Sequence, residues 1–391
     1  MPLPLNPALP DTLSPPVMEA RRWLAETPLP AGMDLMNLSQ AAPVDPPPEA
    51  MRQAMAQAVL MDPSIHLYST VLGLPSLREA LAGRMETIYR SPVRAEQVGL
   101  TSGCNQAFCA AVATLAGPGD EIILPTPWYF NHAMWLTLTN IRPVPLPTGK
   151  DLHPSVAHCE TLITPRTRAI ALVSPNNPAG VEYPADLLRE FAKLAARHGL
   201  ALIVDETYRD FHTQSGPPHD LFADPDWQDV FIHLYSFSKA YRLTGHRVGA
   251  IATSPARLAQ IEKFLDCTTI CVSGPGQMAA LWGLQNLTDW LAKERVEILK
   301  RRAAMTDVIN GLAGWDLLGC GAYFAYVRHP LDLPAPEAAR EILARSGVLM
   351  LPGTMFRPAN DPAGLSELRI AFANANSDRI DQLGQRLRNL T

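Results

Sequence analysis

Short apolar runs alternate with longer amphipathic stretches along most of this chain. The runs Gln97–Thr101, Glu121–Pro125, Pro143–Pro147, Ala169–Val173, Ala201–Val204 and Val230–Tyr235 are mostly rich in β-forming residues and bounded by turn residues, so they predict buried strands. Helical patterns surround them: Pro48–Leu60, a stretch from Leu77 to about Tyr89, Ala107–Ala116, and Pro184–His198, which ends at Gly199 as a cap. Strand and helix alternating in this way predict right-handed crossovers and a mostly parallel sheet covered on both faces.

Further on the pattern changes. Ser254 and Pro255 open a helix toward Leu265, and Asn286–Leu312 reads as a long charged connecting helix. Gly321–Arg328, Val348–Leu351 and Ser366–Ala373 read as strands, with helices over Pro336–Ser346 and Ser377–Leu390, an α+β arrangement. Proline crowds the first 50 residues, so that segment is expected to run extended over the surface, with one short helix near Val17–Ala25. The expected division is an arm over 1–46, a large domain over 47–287 and a small domain over 288–391.

Composition narrows the function classes. The chain has 391 residues, 47% hydrophobic and 18% charged, with a formal net charge of −5. This mild acidity, with no Lys/Arg-rich arm, argues against nucleic acid as a partner. No apolar stretch has the length of a membrane span, and the start lacks the basic and apolar regions of a secretory signal. The six cysteines form no C-x-x-C pair. They are expected to be reduced thiols in a cytoplasmic protein, with no metal site.

The chemistry gathers at predicted strand ends. Val230–Tyr235 runs into Ser236-Phe237-Ser238-Lys239, and Arg247 follows eight residues after the lysine. A lysine can form a Schiff base with an aldehyde, while serine and arginine can hold a phosphate. Ala201–Val204 ends in Asp205, an acid that needs a partner there, although a turn or helix-cap role would also place one. Ser102-Gly103-Cys104-Asn105 is a tight turn feeding a helix start, where free N–H groups favour an anion.

These motifs, with Ser174-Pro175-Asn176-Asn177-Pro178-Ala179-Gly180 and Tyr68-x4-Gly73-x3-Leu77-Arg78, resemble the class I/II aminotransferases, pyridoxal-phosphate enzymes of fold type I. The resemblance runs from about Leu38 to Leu387. It implies an α/β fold with a mostly parallel seven-stranded sheet, its one reversed strand near Arg247–Ser254, and a smaller α+β domain. It implies that Lys239 carries the cofactor and shuttles the proton, that Asp205 holds the pyridine nitrogen, and that Tyr208 and Asn177 bond the phenolic oxygen. Ser102, Gly103, Cys104, Ser236 and Arg247 would grip the phosphate, with Cys104 acting through its backbone. Tyr129 would stack on the ring, with Trp128 as the competing choice. Arg369, in Leu368–Phe372, would bind the substrate α-carboxylate, and Asn177 and Ala41 would adjoin the substrate. Phe356 would face the substrate side chain, and His132, standing where many relatives have a second aromatic, would alter the substrate side. Ala41 replaces a glycine common in relatives. Tyr68 would reach the phosphate of the neighbouring subunit, making a homodimer.

The function so implied is transfer of an amino group between an L-amino acid and a 2-oxo acid by a ping-pong course. Two alternatives remain at the level of sequence. A β-eliminating lyase uses the same constellation. A non-catalytic aminotransferase-like sensor would carry a DNA-binding module ahead of this domain, where the chain has only a proline-rich stretch.

Overall fold

The computed structural model describes Leu3 and residues 5–390. Seven strands form the main sheet: β1 (Val98–Thr101), β2 (Glu121–Thr126), β3 (Arg142–Pro147), β4 (Thr167–Val173), β5 (Ala201–Asp205), β6 (Phe231–Ser236) and β7 (Gly249–Ala252). Their order across the sheet is β1-β7-β6-β5-β4-β2-β3. β7 runs antiparallel to both its neighbours and the other pairings are parallel, as the resemblance implied. Every residue of β5 and β6 is buried, which explains why these strands read as unbroken apolar runs without alternation.

Register sets the site. Val173 pairs with Asp205, and Asp205 pairs with Leu234, so the carboxyl ends of β4, β5 and β6 are level. Gly249, which opens the reversed β7, pairs with both Ser236 and Thr101. The chain just before it, at Arg247, is thereby delivered to the same edge. A Cβ at Gly249 would lie 2.5 Å from the Gly103 carbonyl carbon, so only glycine lets this strand pass so close to the turn.

The smaller sheet contains β8 (Asp316–Gly321), β9 (Phe324–Arg328), β10 (Leu351–Pro352) and β11 (Glu367–Ala371), in the order β10-β11-β9-β8. β8 is absent from the sequence reading because Asp316-Leu317-Leu318-Gly319-Cys320-Gly321 carries two glycines and no β-branched residue. The helix over Phe130–Leu138 was also not anticipated. The expected strand Val348–Leu351 divides in two: Val348–Leu349 pairs in parallel with Met36–Asn37, and Leu351–Pro352 joins β11. The helix expected from Ala107 starts earlier, at Cys104, and ends at Ala113. One apolar cluster joins Trp23, Met36 and Leu38 of the first 40 residues to Ile342, Leu368 and Leu383, so the arm is packed onto the C-terminal part of the chain. Among the described residues, no helix is long and apolar enough to cross a membrane.

Candidate active site

The level strand ends open onto a cavity of about 340 Å³. Its lining brings together Ala41, Cys104, Tyr129, Asn177, Asp205, Tyr208, Ser236, Lys239, Arg247 and Arg369, residues spread over more than three hundred positions of sequence. Ser102 and Gly103 sit beside it through Arg247, whose Nη2 donates to the Ser102 carbonyl at 3.5 Å. Tyr68 is not part of this lining and is 80% exposed. Trp128 is not part of it either; its ring packs with the cluster around Phe108 and Leu136, so of these two neighbours Tyr129 is the one at the cavity.

Of the six lysines, only Lys239 is withdrawn from solvent, and the other five are exposed. Its Nζ donates to the Ala41 carbonyl at 2.6 Å. Ala41 is buried with Tyr208 and Phe324, so the alanine is accommodated while its carbonyl still reaches the lysine. Burial, with Arg247 and Arg369 nearby, pushes the Lys239 amine down to about 8. At pH 7 about one molecule in ten then holds a neutral amine, against about one in three thousand for an ordinary lysine. The folded value lies below the ordinary one, so the unfolded chain binds the extra proton between pH 8 and 10.5 and stability rises with pH across that window. In the cofactor-free protein, labelling of Lys239 by an amine-reactive reagent, followed by peptide mass mapping, is expected to rise up to about pH 8 and then level off. A rise continuing past pH 10 would show an unperturbed amine.

Asp205 closes β5. Its Oδ1 accepts from the Thr207 N–H at 2.9 Å and its Oδ2 lies 3.4 Å from His132 Nε2. Burial alone would raise its carboxyl, but His132 and the two bonds from Thr207 outweigh that and hold it below the ordinary value. It therefore stays an anion, ready for a cationic ring nitrogen. His132 stacks on Phe108 with centroids 3.7 Å apart. It thus stands behind Asp205 and not on the substrate side where the sequence reading put it. That reading had no way to see the Phe108 ring, which fixes the imidazole from another helix.

A second buried group, also missed, surrounds the next residue. Glu206 accepts from Tyr89, lies 2.8 Å from His233 Nε2 and 3.3 Å from His219 Nε2, and Arg209 covers the Tyr89 and Tyr235 rings. Burial would raise the Glu206 carboxyl, but the two histidines hold it well below the ordinary range. This network pins the chain just past Asp205.

At the other end of the cavity the helix Cys104–Ala113 starts from Gly103 with no side-chain cap. Gly103 has φ of +88°, and a Cβ there would lie 2.0 Å from Arg247 Nη2. The guanidinium thus lies against the turn with its Nη2 edge nearest, and Nη1 donates to the Thr244 carbonyl at 3.0 Å and to Ser238 Oγ at 3.4 Å. Uncapped helix amides, serine hydroxyls and this arginine make an anion cradle. The Cys104 thiol is buried and held well above its ordinary value by burial and by Asp205, so it is inert.

Arg369 lies on β11, where Nη1 donates to Asn177 Oδ1 at 3.0 Å and Nη2 to the Ser39 carbonyl. Its guanidinium packs over the Phe324 and Phe356 rings, and its buried Nε has no hydrogen-bond partner among the described residues. Phe356 is fully buried beneath Arg369, so it supports the arginine and does not line the cavity as the sequence reading expected. Taken together, an anion cradle, a shielded carboxylate, one neutral-prone lysine and one underused arginine fit a phosphorylated pyridine aldehyde beside an amino-acid carboxylate.

The family model "Aminotransferase class I and II" matches residues 33–387. An aromatic aminotransferase of Arabidopsis thaliana is 28% identical over 364 residues, covering 90% of this chain and 89% of that one. An arginine–pyruvate transaminase of Pseudomonas aeruginosa is 31% identical over 334 residues, covering 84% of each. Among solved structures, the aspartate aminotransferase of Thermus thermophilus superposes with a TM-score of 0.88 at 23% identity over all of both chains, a likeness of fold. The chain therefore belongs to the class I and II aminotransferases, pyridoxal-phosphate-dependent transferases of fold type I.

Proposed function

We propose that Lys239 is the catalytic lysine of this aminotransferase, and the observation that carries this is its place as the one shielded lysine, at the cavity with Asp205, Arg247 and Arg369. Pyridoxal phosphate, when bound, supplies an aldehyde that condenses with amines and a ring that draws electrons from the substrate Cα. Ser102, Gly103, Cys104, Ser236 and Arg247 would hold its phosphate, Asp205 its ring nitrogen, Asn177 and Tyr208 its phenolic oxygen, and Tyr129 would stack on its ring. Burial and the nearby Tyr129 raise the Tyr208 hydroxyl well above its ordinary value, so it remains a donor. Arg369 binds and orients the substrate α-carboxylate with two parallel hydrogen bonds. Lys239 Nζ then takes the proton at Cα, a task suited to an amine poised near working pH. An amino acid gives up its amino group and leaves as a 2-oxo acid, and a second oxo acid takes the group up, a ping-pong course. The test is a donor given without acceptor: one equivalent of oxo acid per site is expected, whereas continuing ammonia release would mark the lyase.

The working unit is a homodimer in the cytoplasm, each chain with a large domain of 47–287 and an arm of 1–46 packed with the small domain of 288–391. Support comes from Leu60, Met61, Leu67, Tyr68 and Ile270, large apolar side chains left exposed, the first two at the end of the helix Glu49–Met61 that packs on Gly274–Asn286. Tyr68→Ala is expected to weaken cofactor binding by about tenfold, as loss of one hydrogen bond to a charged group would. Fluorescence titration of the cofactor checks this, with sedimentation showing whether the dimer persists.

A further inference from the structure

We propose that the amino-acid donor has an uncharged, apolar side chain, and that Phe130 and the turn Pro15-Pro16-Val17 form its pocket. This rests on the reading that Arg369 takes the α-carboxylate. Each charged side chain of the lining already has a task in that reading. Its three cations are Lys239, Arg247 and Arg369, and its one acid is Asp205. Arg247 lies against the Gly103 turn, Asp205 faces His132, and Arg369 is held by Asn177 and Ser39. A second carboxylate on the substrate would enter with no spare cation in this chain's lining to meet it, and a basic side chain would meet Lys239 and Arg369. An unpaired charge in such a site costs several kcal/mol.

The rest of the lining is uncharged, polar at Gln40, Asn105 and Asn131 and apolar at Phe130 and the Pro15-Pro16-Val17 turn. Phe130 is 7% exposed, lines the cavity and packs on Phe356 at 5.6 Å, the same ring that lies 4.8 Å from the Arg369 guanidinium. A carboxylate on Arg369 therefore places the side chain beside an aromatic face. Pro15, Pro16 and Val17 line the same cavity, where the helix Pro16–Glu26 begins. Pro15 and Pro16 have no N–H to offer an anion, Met18 and Glu19 give theirs to the Pro15 carbonyl, and Glu19 adds negative charge in that first turn. Trp23, further along the helix, is buried in the core of the C-terminal part, which holds this wall in place. Linear and branched aliphatic, thioether and aryl side chains suit such a pocket.

The experiment measures kcat/KM of the holoenzyme for methionine, leucine and phenylalanine against aspartate, glutamate and arginine. In parallel, the cofactor absorbance is titrated with two unreactive acids, 3-phenylpropanoate and maleate. The apolar donors are expected to exceed the charged ones by about 100-fold or more, the scale of one unpaired buried charge. The phenylpropanoate is expected to bind at least about tenfold tighter than maleate. Val17→Arg is expected to raise kcat/KM for aspartate and glutamate and lower it for the apolar donors, with cofactor affinity held. Preference for a charged donor, or tighter binding of maleate, overturns the proposal while leaving Arg369 its role. Equal indifference to both acids, with Arg369→Ala changing KM for no donor, overturns the proposal and the Arg369 reading together.

Discussion

Lys239→Ala is expected to lower kcat by at least about 10⁴-fold, because it removes both the covalent anchor and the base that moves the Cα proton. The loss should be specific. The variant keeps Arg247, Ser236, Asp205 and the uncapped start of Cys104–Ala113, so it still binds the cofactor, though without a covalent link. Its stability should not fall. The wild-type amine is buried and held down to about 8, a state that costs free energy at neutral pH, and alanine removes the need to bury it. Steady-state rates, cofactor titration and thermal melting separate these effects. A variant that melts earlier and loses cofactor altogether would mean that Lys239 is structural.

Arg369→Ala is expected to lower kcat/KM for every donor by about 30- to 4000-fold, the range of about 2–5 kcal/mol found when one partner of a buried charged hydrogen-bond pair is removed. Arg369→Lys should recover little. A lysine offers one compact charge where the site presents a planar fork, with Nη1 and Nη2 already directed at Asn177 and Ser39 and the Phe324 and Phe356 rings packed against the guanidinium. Burial pushes Arg369 down to about 10, so it remains a cation at neutral pH, and the loss should not vary between pH 6 and 8. Rates measured across that interval check both points. A variant with unchanged KM would place the carboxylate elsewhere.

The strand ends were readable in the sequence because each carries its chemistry locally. Ser236-x-x-Lys239, Asp205-x-x-Tyr208 and Asn177 each come directly after an apolar run, and a parallel sheet gathers the residues past its strand ends along one edge. What escaped was set by packing between distant segments. His132 was misread because its neighbours, Phe108 and Asp205, come from other elements. Phe356 looked like a substrate contact, yet it turns under Arg369 and backs Phe130. The Glu206 network draws Tyr89, His219 and His233 from three separate stretches, none with a motif. Pro15, Pro16 and Val17 read as part of a surface arm, and their approach to the cavity comes from the packing of Trp23 against the C-terminal core. β8 was lost to its glycines, one of which, Gly321, leaves room for the Gly180 carbonyl only 2.2 Å from where a Cβ would stand.

The most direct test of Lys239 as the cofactor's anchor is borohydride reduction of the holoenzyme, which makes a lysine–cofactor link permanent, with peptide mass mapping afterwards. The account predicts a pyridoxyl group on the peptide containing Lys239 and on no other. The same group on the peptide of Lys150, Lys193, Lys263, Lys293 or Lys300, the five exposed lysines, would contradict it.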